Sequence, residues 1–296
     1  MKQSASRTHG QLLYFAGIDI GSTMTKVVLT DESGNLLAVI KGHTGPEHRR
    51  LANEVMQQAL DRARLSIGDI SYIVATGYGR LNVPFADRQI TELSCHARGV
   101  SSLFANVRTA IDIGGQDAKC MKITGGKLID FVMNDRCAAG TGRFLEVTAA
   151  TLGIRLEDMG DISLKATKKV KISSMCTIFA QQEVVALLSQ GEKPENILAG
   201  LHDALASRVA ALARRLGLEP DVVLTGGVAK NAGMVRAMRE SLECEILIPG
   251  DPLITGALGA AILANEAYTK AAAAGSALPV KPRRLQEATF YGQEQT

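Results

Sequence analysis

The chain has 296 residues, 46% of them hydrophobic and 21% charged, which is typical of a soluble globular protein large enough for two domains. A net charge of only +3, with no basic block, argues against a nucleic-acid partner. No apolar run approaches the roughly 20 residues that span a bilayer, so we expect no membrane segment. The five cysteines follow no regular framework and no export signal is recognised, so we expect reduced thiols in the cytoplasm.

The expected elements, taken along the chain, alternate between strands and helices. Apolar residues at helical spacing predict helices at 47–63, 90–103, 142–152, 177–190, 195–216 and 231–242. Short apolar runs bounded by turn residues predict strands at 70–75, 222–224 and 245–248. Such alternation indicates an α/β fold.

One strand pattern occurs twice, which suggests an internal duplication. Ile-Asp-Ile-Gly stands at 18–21 and again at 111–114, and Lys26 recurs as Lys119 at the same offset. Each copy has the form strand, glycine turn, strand. The repeat predicts two domains built on one plan, with chance reuse of a common turn as the alternative.

The repeat gives an expected domain organisation. We expect these parts: a polar N-terminal tail at 1–13, a first domain at 14–108, a second domain at 109–260, a helix at about 261–275 that packs back on the first domain, and a loose polar tail at 276–296.

The first repeat, GIDIGSTMTK at 17–26, has the features of a phosphate-binding turn. Apolar residues predict a buried strand with Asp19 near its end, and successive amide groups in the turn would form an anion nest. The expected contacts to ATP in this turn are Gly21, Ser22, Thr23, Thr25 and Lys26.

The second repeat supplies the corresponding turn with Gly114 and Gly115. If the domains pair with pseudo-symmetry, Asp112 faces Asp19, and the two carboxylates would hold Mg²⁺ through its water shell for phosphate chemistry. Gln116 follows the turn and could orient a water molecule, with a turn-capping role as an equal alternative. Asp19, Asp112 and Gln116 are therefore the candidate catalytic residues.

A third motif, LTGGVAKN at 224–231, suits the adenosine end of the nucleotide. Gly226 and Gly227 would let a flat ring approach the backbone, and Lys230 and Asn231 begin the next helix. A helix-capping role for Asn231 competes with a ribose contact. Small residues at 255–261 would permit close helix–helix contact. Each motif alone is a weak signal, but the ordered set indicates a nucleotide site. The rival nucleotide-binding folds are disfavoured, because neither a GxxxxGK[ST] nor a GxGxxG sequence occurs.

Two cysteines stand apart from the other three. Cys137 and Cys176 lie in glycine- and serine-rich segments, each ahead of a predicted helix whose N-terminus would stabilise a thiolate. Two thiolates are half of the set that holds a [4Fe–4S] cluster, and a twofold dimer would supply all four. A disulfide between them, a shared structural zinc site and a role as small buried apolar residues are the alternatives. The last of these suits Cys95, Cys120 and Cys244.

The cysteine segments identify a specific family resemblance. Residues 134–144 and 174–180 resemble the signature stretches of the 2-hydroxyacyl-CoA dehydratase activators, which belong to the BadF/BadG/BcrA/BcrD ATPase family. Further segments in the style of this family lie at 75–80, 91–97, 111–117 and 225–231. The similarity covers about 14–265. The nucleotide motifs also resemble the superfamily of actin, Hsp70 and the sugar kinases, which implies two ribonuclease H-like domains.

The resemblance implies a function and its cofactors. A homodimer would hold one [4Fe–4S] cluster through Cys137 and Cys176 of each chain, and would bind ATP or ADP with Mg²⁺. ATP turnover would lower the effective potential of the cluster. An electron from ferredoxin or flavodoxin would then pass to a partner (R)-2-hydroxyacyl-CoA dehydratase in anaerobic metabolism.

Three other functions are open at this point. Activators of benzoyl-CoA reductases or of double-cubane cluster proteins are close cousins. A small-molecule kinase of the same fold, such as an N-acetylhexosamine kinase, would leave both cysteines incidental. A nucleotide-sensing scaffold would hydrolyse almost no ATP.

Overall fold

The computed structural model describes residues 12–134, 137–172 and 176–285. Within these ranges the strands are β1 (Tyr14–Ile20), β2 (Met24–Asp31), β3 (Leu36–His43), β4 (Ile70–Thr76), β5 (Arg88–Gln89), β6 (Thr109–Ile113), β7 (Ala118–Thr124), β8 (Lys127–Asn134), β9 (Val222–Thr225) and β10 (Ile246–Leu247). The α-helices of the same residues are α1 (His48–Ala63), α2 (Glu92–Leu103), α3 (Gly142–Leu152), α4 (Met159–Ser163), α5 (Thr177–Ser189), α6 (Pro194–Leu216), α7 (Ala232–Leu242) and α8 (Thr255–Ala273). No helix in the described ranges is both long enough and apolar enough to cross a membrane.

Contacts between Cα atoms divide the chain into two compact units. Of the described residues, those at 12–96 and 256–285 form unit 1, and those between 97 and 255 form unit 2. The division therefore falls within α2 and at the start of α8, whereas the sequence suggested 108/109 and 260/261. Helices run through both division points, and a boundary inside a continuous helix leaves no break in composition for a sequence pattern to mark.

The two units have the same sheet topology. In unit 1 the strand order is β3-β2-β1-β4-β5, and in unit 2 it is β8-β7-β6-β9-β10. The first three strands of each unit are antiparallel neighbours, and the first strand then pairs in parallel with the fourth. The predicted duplication and the α/β fold class are confirmed, because each repeat builds an equivalent five-stranded sheet.

Most predicted elements are present, and the cores follow their apolar spacing. In α1, Val55, Met56 and Leu60 are buried in the core of unit 1. Four of the strands and α-helices named above were not predicted: β3, β5, β8 and α4. In β8, Ile129 and Phe131 are exposed although apolar, so the strand lacks the usual alternation of buried apolar and exposed polar residues.

Small residues in α8 pack against a strand as well as against α2. The predicted helix–helix contact is present, because a Cβ atom on Gly256 of α8 would lie 3.1 Å from Nε2 of His96 in α2. A Cβ atom on Gly17 of β1 would lie 2.0 Å from the carbonyl oxygen of Ala257 and 2.4 Å from the amide nitrogen of Ala261. The backbones of β1 and α8 therefore approach so closely that only glycine fits. This contact fixes the strand that carries Asp19.

The described part of the C-terminal tail is anchored, so the prediction of a loose tail is wrong for residues 276–285. Arg283 donates from both terminal nitrogens to the two oxygens of Asp87, at 2.9 and 2.8 Å, and also to the carbonyl oxygen of Ile70. The Asp87 side chain is fully buried and also accepts from the amide of Ile73. Arg283 and Asp87 are far apart in sequence, so no local pattern could reveal the pair. Residues 1–11 and 286–296 of the predicted tails lie outside the described ranges.

We expect Arg283→Met to destabilise the protein by about 3 kcal/mol or more, because it leaves the buried Asp87 carboxylate without its cation. The midpoint of urea denaturation measures this loss. Adding Asp87→Asn should recover part of it, since the amide oxygen can still accept from Ile73. The control is Arg62→Met, which removes an exposed arginine bound to the Val39 carbonyl and should cost at most about 0.5 kcal/mol. A wild-type midpoint for Arg283→Met would contradict the anchoring role.

Candidate functional site

The first phosphate turn lies between β1 and β2 of unit 1. The amide of Gly21 donates to the Met24 carbonyl oxygen at 3.1 Å, which closes the turn as predicted. Asp19 lies opposite Lys26 in the antiparallel pairing, and the Lys26 Nζ donates to its Oδ2 at 3.0 Å. Ser22 and Thr23 are half-buried in the turn. The lysine charge therefore compensates a carboxylate that is only 2% exposed.

The second carboxylate oxygen of Asp19 has the environment of a ligand-facing group. Its Oδ1 is buried and has no hydrogen-bond partner among the described residues. Glycines surround the carboxylate: a Cβ atom on Gly77 would lie 2.4 Å from Oδ1, and one on Gly256 would lie 3.1 Å from Oδ2. Because a buried, unsatisfied carboxylate oxygen is costly, these atoms fit contact with a hydrated cation.

Thr25 does not have the role that the sequence suggested. It is fully buried, and its hydroxyl is hydrogen-bonded to the hydroxyl of Thr44 at 3.0 Å. The alternation of β2 turns Thr25 away from the face on which Lys26 lies. Thr25 therefore joins β2 to the segment after β3, while the turn residues 21–23 and Lys26 remain the candidate phosphate contacts.

The second phosphate turn lies between β6 and β7 of unit 2. Asp112 is buried, and its Oδ1 accepts from the Thr225 hydroxyl at 2.7 Å. Lys119 lies opposite Asp112, as Lys26 lies opposite Asp19, but its Nζ is nearer to Asp117, at 2.8 Å against 3.9 Å. Asp117 thus has a structural ion pair, and the neighbouring Gln116 is exposed at the turn.

This second turn also holds the start of α3. The amides of Gly142 and Arg143 donate to the carbonyl oxygens of Gly114 and Gly115, both at 2.8 Å. The Thr141 side chain precedes the helix and makes no capping bond to it. The carbonyl groups of the phosphate turn therefore satisfy two of the helix amides that would otherwise be unpaired.

The adenosine motif has one structural glycine and one open glycine. Gly226 has a φ of +86°, and a Cβ atom there would lie 2.3 Å from the Ile113 carbonyl oxygen, so the fold itself requires glycine. Gly227 is exposed, with its nearest neighbour 3.9 Å away in Leu253, which leaves room for a ligand. Lys230 is exposed beside it.

Asn231 has a structural role, because its side chain is hydrogen-bonded within unit 2. It is the N-cap of α7, where its side-chain oxygen accepts from the Met234 amide at 2.9 Å. Its amide nitrogen lies 3.2 Å from Nε2 of the buried His202. Of the two roles suggested by the sequence, the capping role is present, and both polar atoms of the side chain already have protein partners.

A repeated dipeptide escaped the sequence reasoning. In the parallel strand pairings, Thr76 is the partner of Asp19, and Thr225 is the partner of Asp112. Each threonine is followed by a glycine with positive φ, +84° at Gly77 and +86° at Gly226. The signal was the sequence Thr-Gly after a short apolar strand, which occurs in both halves of the chain.

Exposure separates the cysteines into two groups. Cys95 in α2 and Cys120 in β7 are buried, and burial raises the pKa of each thiol to about 12. Cys137, Cys176 and Cys244 are half-buried free thiols. The prediction of small buried residues thus holds for Cys95 and Cys120, which would stay protonated at neutral pH.

Cys176 lies at the predicted helix start, but Cys137 does not. Cys176 is the N-cap of α5, and its carbonyl oxygen accepts from the Ala180 amide. Cys137 lies in the loop between β8 and α3, where Asn134 donates to its carbonyl oxygen at 3.2 Å. The first amides of α3 are instead used by the phosphate turn. Residues 135–136 and 173–175 of the two signature segments lie outside the described ranges.

Helix α5, which begins beside Cys176, exposes large apolar side chains. Ile178 is 64% exposed, Phe179 58% and Val185 50%, whereas Ala180 and Val184 are buried in unit 2. Apolar residues on both sides of a helix indicate that the outer side is covered by another surface.

The chain matches known proteins over most of its length. The model of the BadF/BadG/BcrA/BcrD ATPase family matches residues 16–264. The activator of lactoyl-CoA dehydratase from Anaerotignum propionicum is 47% identical, with 87% of this chain and 100% of that protein covered. The 2-hydroxyisocaproyl-CoA dehydratase activator from Clostridioides difficile is 46% identical, over 85% and 95%. A benzoyl-CoA reductase component from Thauera aromatica is 32% identical, over 88% and 96%.

Solved structures give the same result. Component A of the (R)-2-hydroxyglutaryl-CoA dehydratase from Acidaminococcus fermentans has a TM-score of 0.84 at 43% identity, over 87% of this chain and 99% of that one. The Clostridium difficile 2-hydroxyisocaproyl-CoA dehydratase activator with bound ADPNP has a TM-score of 0.83 at 43% identity, over 88% and 97%.

A more distant structure supports the fold alone. A ROK family glucokinase from Streptomyces griseus has a TM-score of 0.54 at 16% identity, over 86% of this chain and 99% of that one. The predicted sugar-kinase-like fold is thereby confirmed. The family match, the identity to the relatives and the duplicated nucleotide turns agree, and the chain belongs to the BadF/BadG/BcrA/BcrD ATPase family.

Proposed function

We propose that this ATPase activates a 2-hydroxyacyl-CoA dehydratase by ATP-driven electron transfer. The observation that carries the proposal is that Cys137 and Cys176, in the two segments that resemble the activator signatures, are half-buried free thiols. Cys95 and Cys120 are buried, and the third half-buried thiol, Cys244, lies outside those segments. ATP hydrolysis alone does not use thiols. The names of the relatives with 46% and 47% identity support the dehydratase as the partner.

ATP binds with Mg²⁺ at the two glycine turns. In unit 1 the turn residues 21–23 and Lys26 contact phosphate, and the unpartnered Oδ1 of Asp19 contacts water bound to the cation. In unit 2, Gly114 and Gly115 form the second turn, and Asp112 is the carboxylate of this turn that would contact water bound to magnesium. Gln116 is the candidate for orienting the attacking water, since it is exposed at this turn.

Cys137 and Cys176 provide two thiolate ligands, and the same residues of a second chain complete the set for one [4Fe–4S] cluster per homodimer. When bound, the cluster would supply a single electron of low potential. The exposed apolar side chains of α5, beside Cys176, form part of the surface between the two chains. Burying them would exclude water from the ligands.

The protein has two partners in this proposal. Ferredoxin or flavodoxin supplies the electron, and the dehydratase receives it after ATP turnover has changed the environment of the cysteine segments. The acyl-CoA is bound by the dehydratase, so the residues described above bind only nucleotide and cluster. A benzoyl-CoA reductase is the second candidate partner, supported by the more distant relative with 32% identity.

We expect Cys137→Ser and Cys176→Ser each to remove iron from anaerobically purified protein and to weaken the dimer, because each change removes two of four ligands from the dimer. Iron content and molar mass in solution are the measurements. Cys244→Ser is the matched control, since Cys244 is also half-buried and should leave iron unchanged. A wild-type protein that binds ATP but no iron would contradict the proposal.

The electron-transfer activity is tested with purified dehydratases. The wild-type protein, with reduced ferredoxin and ATP, should start dehydration of a 2-hydroxyacyl-CoA, and a non-hydrolysable ATP analogue should not. Benzoyl-CoA reductase in a parallel assay distinguishes the second candidate. Activation that does not depend on ATP would refute the mechanism for either partner.

We expect Asp19→Asn to lower ATP hydrolysis roughly 100-fold, because it removes the charge that contacts magnesium-bound water. Phosphate release at saturating ATP is the measurement. Iron content should not change, since the substitution is in unit 1 and the cysteines are in unit 2. Asp61→Asn on the exposed surface of α1 is the control. Equal hydrolysis by Asp19→Asn and wild type would exclude this role.

A further inference from the structure

His202 is a buried residue that connects three helices of unit 2. It lies on α6 and is 1% exposed. Its Nδ1 is 3.1 Å from the hydroxyl of Ser163 at the end of α4, and its Nε2 is 3.2 Å from the side-chain nitrogen of Asn231 at the start of α7. A fully buried histidine with a partner at each nitrogen has one defined orientation.

The hydrogen bonds determine which nitrogen carries the proton. Because the Asn231 oxygen accepts from the Met234 amide, its amide nitrogen points to His202, and Nε2 must accept. The proton is then on Nδ1, which donates to Ser163, and the Ser163 hydroxyl donates to the Gly160 carbonyl oxygen at 2.7 Å. The Asn231 amide, the His202 Nδ1–H and the Ser163 hydroxyl therefore each donate one hydrogen bond along this series.

Protonation of His202 would break the chain, because Nε2–H would face the Asn231 amide hydrogens. Burial, with a smaller effect from the charge of Arg236, lowers the pKa of His202 to about 4. The imidazole is therefore neutral near pH 7, and the orientation of the Asn231 amide is fixed.

The surroundings leave no space for another arrangement. A Cβ atom on Gly233 of α7 would lie 2.0 Å from the Ser163 hydroxyl and 2.7 Å from Nδ1 of His202. A Cβ atom on Gly160 of α4 would lie 2.9 Å from the Asn231 oxygen. Glycines on both helices thus allow close packing around the hydrogen bonds.

Asn231 is the last residue of the adenosine motif, so its position sets the turn that precedes it. The turn carries the open Gly227 and the exposed Lys230. We propose that His202 is a positioning residue for ATP: by holding Asn231, it fixes the turn 226–231 in the conformation that receives the nucleotide. This inference rests on the proposed ATP site at that turn.

Two amide substitutions at the same position separate positioning from general stability. His202→Gln can place its oxygen near the position of Nε2 and keep the bond to Asn231. His202→Asn is shorter, reaches Ser163 in the place of Nδ1, and loses Asn231. We expect His202→Asn to weaken ATP binding about fivefold to tenfold, as for one lost hydrogen bond, and His202→Gln to stay within about twofold of wild type.

Calorimetric ATP affinity and thermal midpoint are measured for both variants. The KM for ATP should rise with the dissociation constant while kcat at saturating ATP stays near wild type, because His202 does not touch the reacting phosphate. Val209→Ala, a buried cavity variant on the same helix, is the control; it should lower the midpoint without changing ATP affinity.

Equal ATP affinity of His202→Asn and His202→Gln would overturn the inference. A loss of ATP affinity in Val209→Ala in proportion to its lower thermal midpoint would also overturn it, because general destabilisation would then explain the effect. If His202→Asn does not fold, His202→Leu replaces it; leucine has no acceptor for the Asn231 amide and should weaken ATP binding as His202→Asn would. Failure of wild-type protein to bind ATP would refute the ATP site itself, which is a separate result.

Discussion

A buried carboxylate at the end of the first strand is the constraint on which each unit depends. Asp19 and Asp112 lie where a strand leaves the sheet, and each needs a partner because charge is costly to bury. A lysine on the adjacent antiparallel strand lies in the same register in both units, Lys26 opposite Asp19 and Lys119 opposite Asp112. Lys26 donates directly to Asp19, whereas Asp112 accepts from the Thr225 hydroxyl and has Lys119 at 3.9 Å. The sequence motif with Asp and Lys therefore occurs twice because each buried carboxylate needs a positive charge nearby.

The glycines follow from the same constraint. A carboxylate at a strand end leaves little room for the chain that returns beside it, and Gly77 and Gly226 both adopt positive φ directly after the parallel strand. Their Cβ positions would overlap the backbone at the end of the first strand. The same steric restriction therefore selects glycine at the equivalent positions 77 and 226. The duplicated Thr-Gly dipeptide is too short to be recognised from the sequence alone.

Local patterns predicted the fold class, the duplication and most helices, because helix periodicity and glycine turns act over a few residues. Helix α3, for example, has the predicted bounds. Contacts between distant segments were not predictable. The ion pair of Arg283 with Asp87 and the bond of Thr25 to Thr44 depend on which strands become neighbours. The exposure of the apolar side chains of α5 was also not predictable, because its composition resembles that of a buried helix.

The same limits apply to the candidate site. The two glycine turns at the strand ends followed from residue type and order, whereas the separate roles of the residues within each motif did not. Gly226 serves the fold and Gly227 faces open space, yet the two are adjacent and identical in sequence. The glycine- and serine-rich context separated Cys137 and Cys176 from the buried Cys95 and Cys120, but the grouping of Cys244 with the buried cysteines was wrong, because Cys244 is half-buried.

The bonds between the second phosphate turn and α3 have a mechanical consequence. The carbonyl groups of Gly114 and Gly115 face the first amides of the helix, so a rotation of these peptides would uncap α3 or pull it along. The loop with Cys137 connects β8, which is fixed in the sheet, to this same helix end. A small rotation of these two peptide planes would therefore shift the N-terminus of α3 relative to β8. Because the loop with Cys137 joins that strand to that helix, the shift would also change the conformation of the loop.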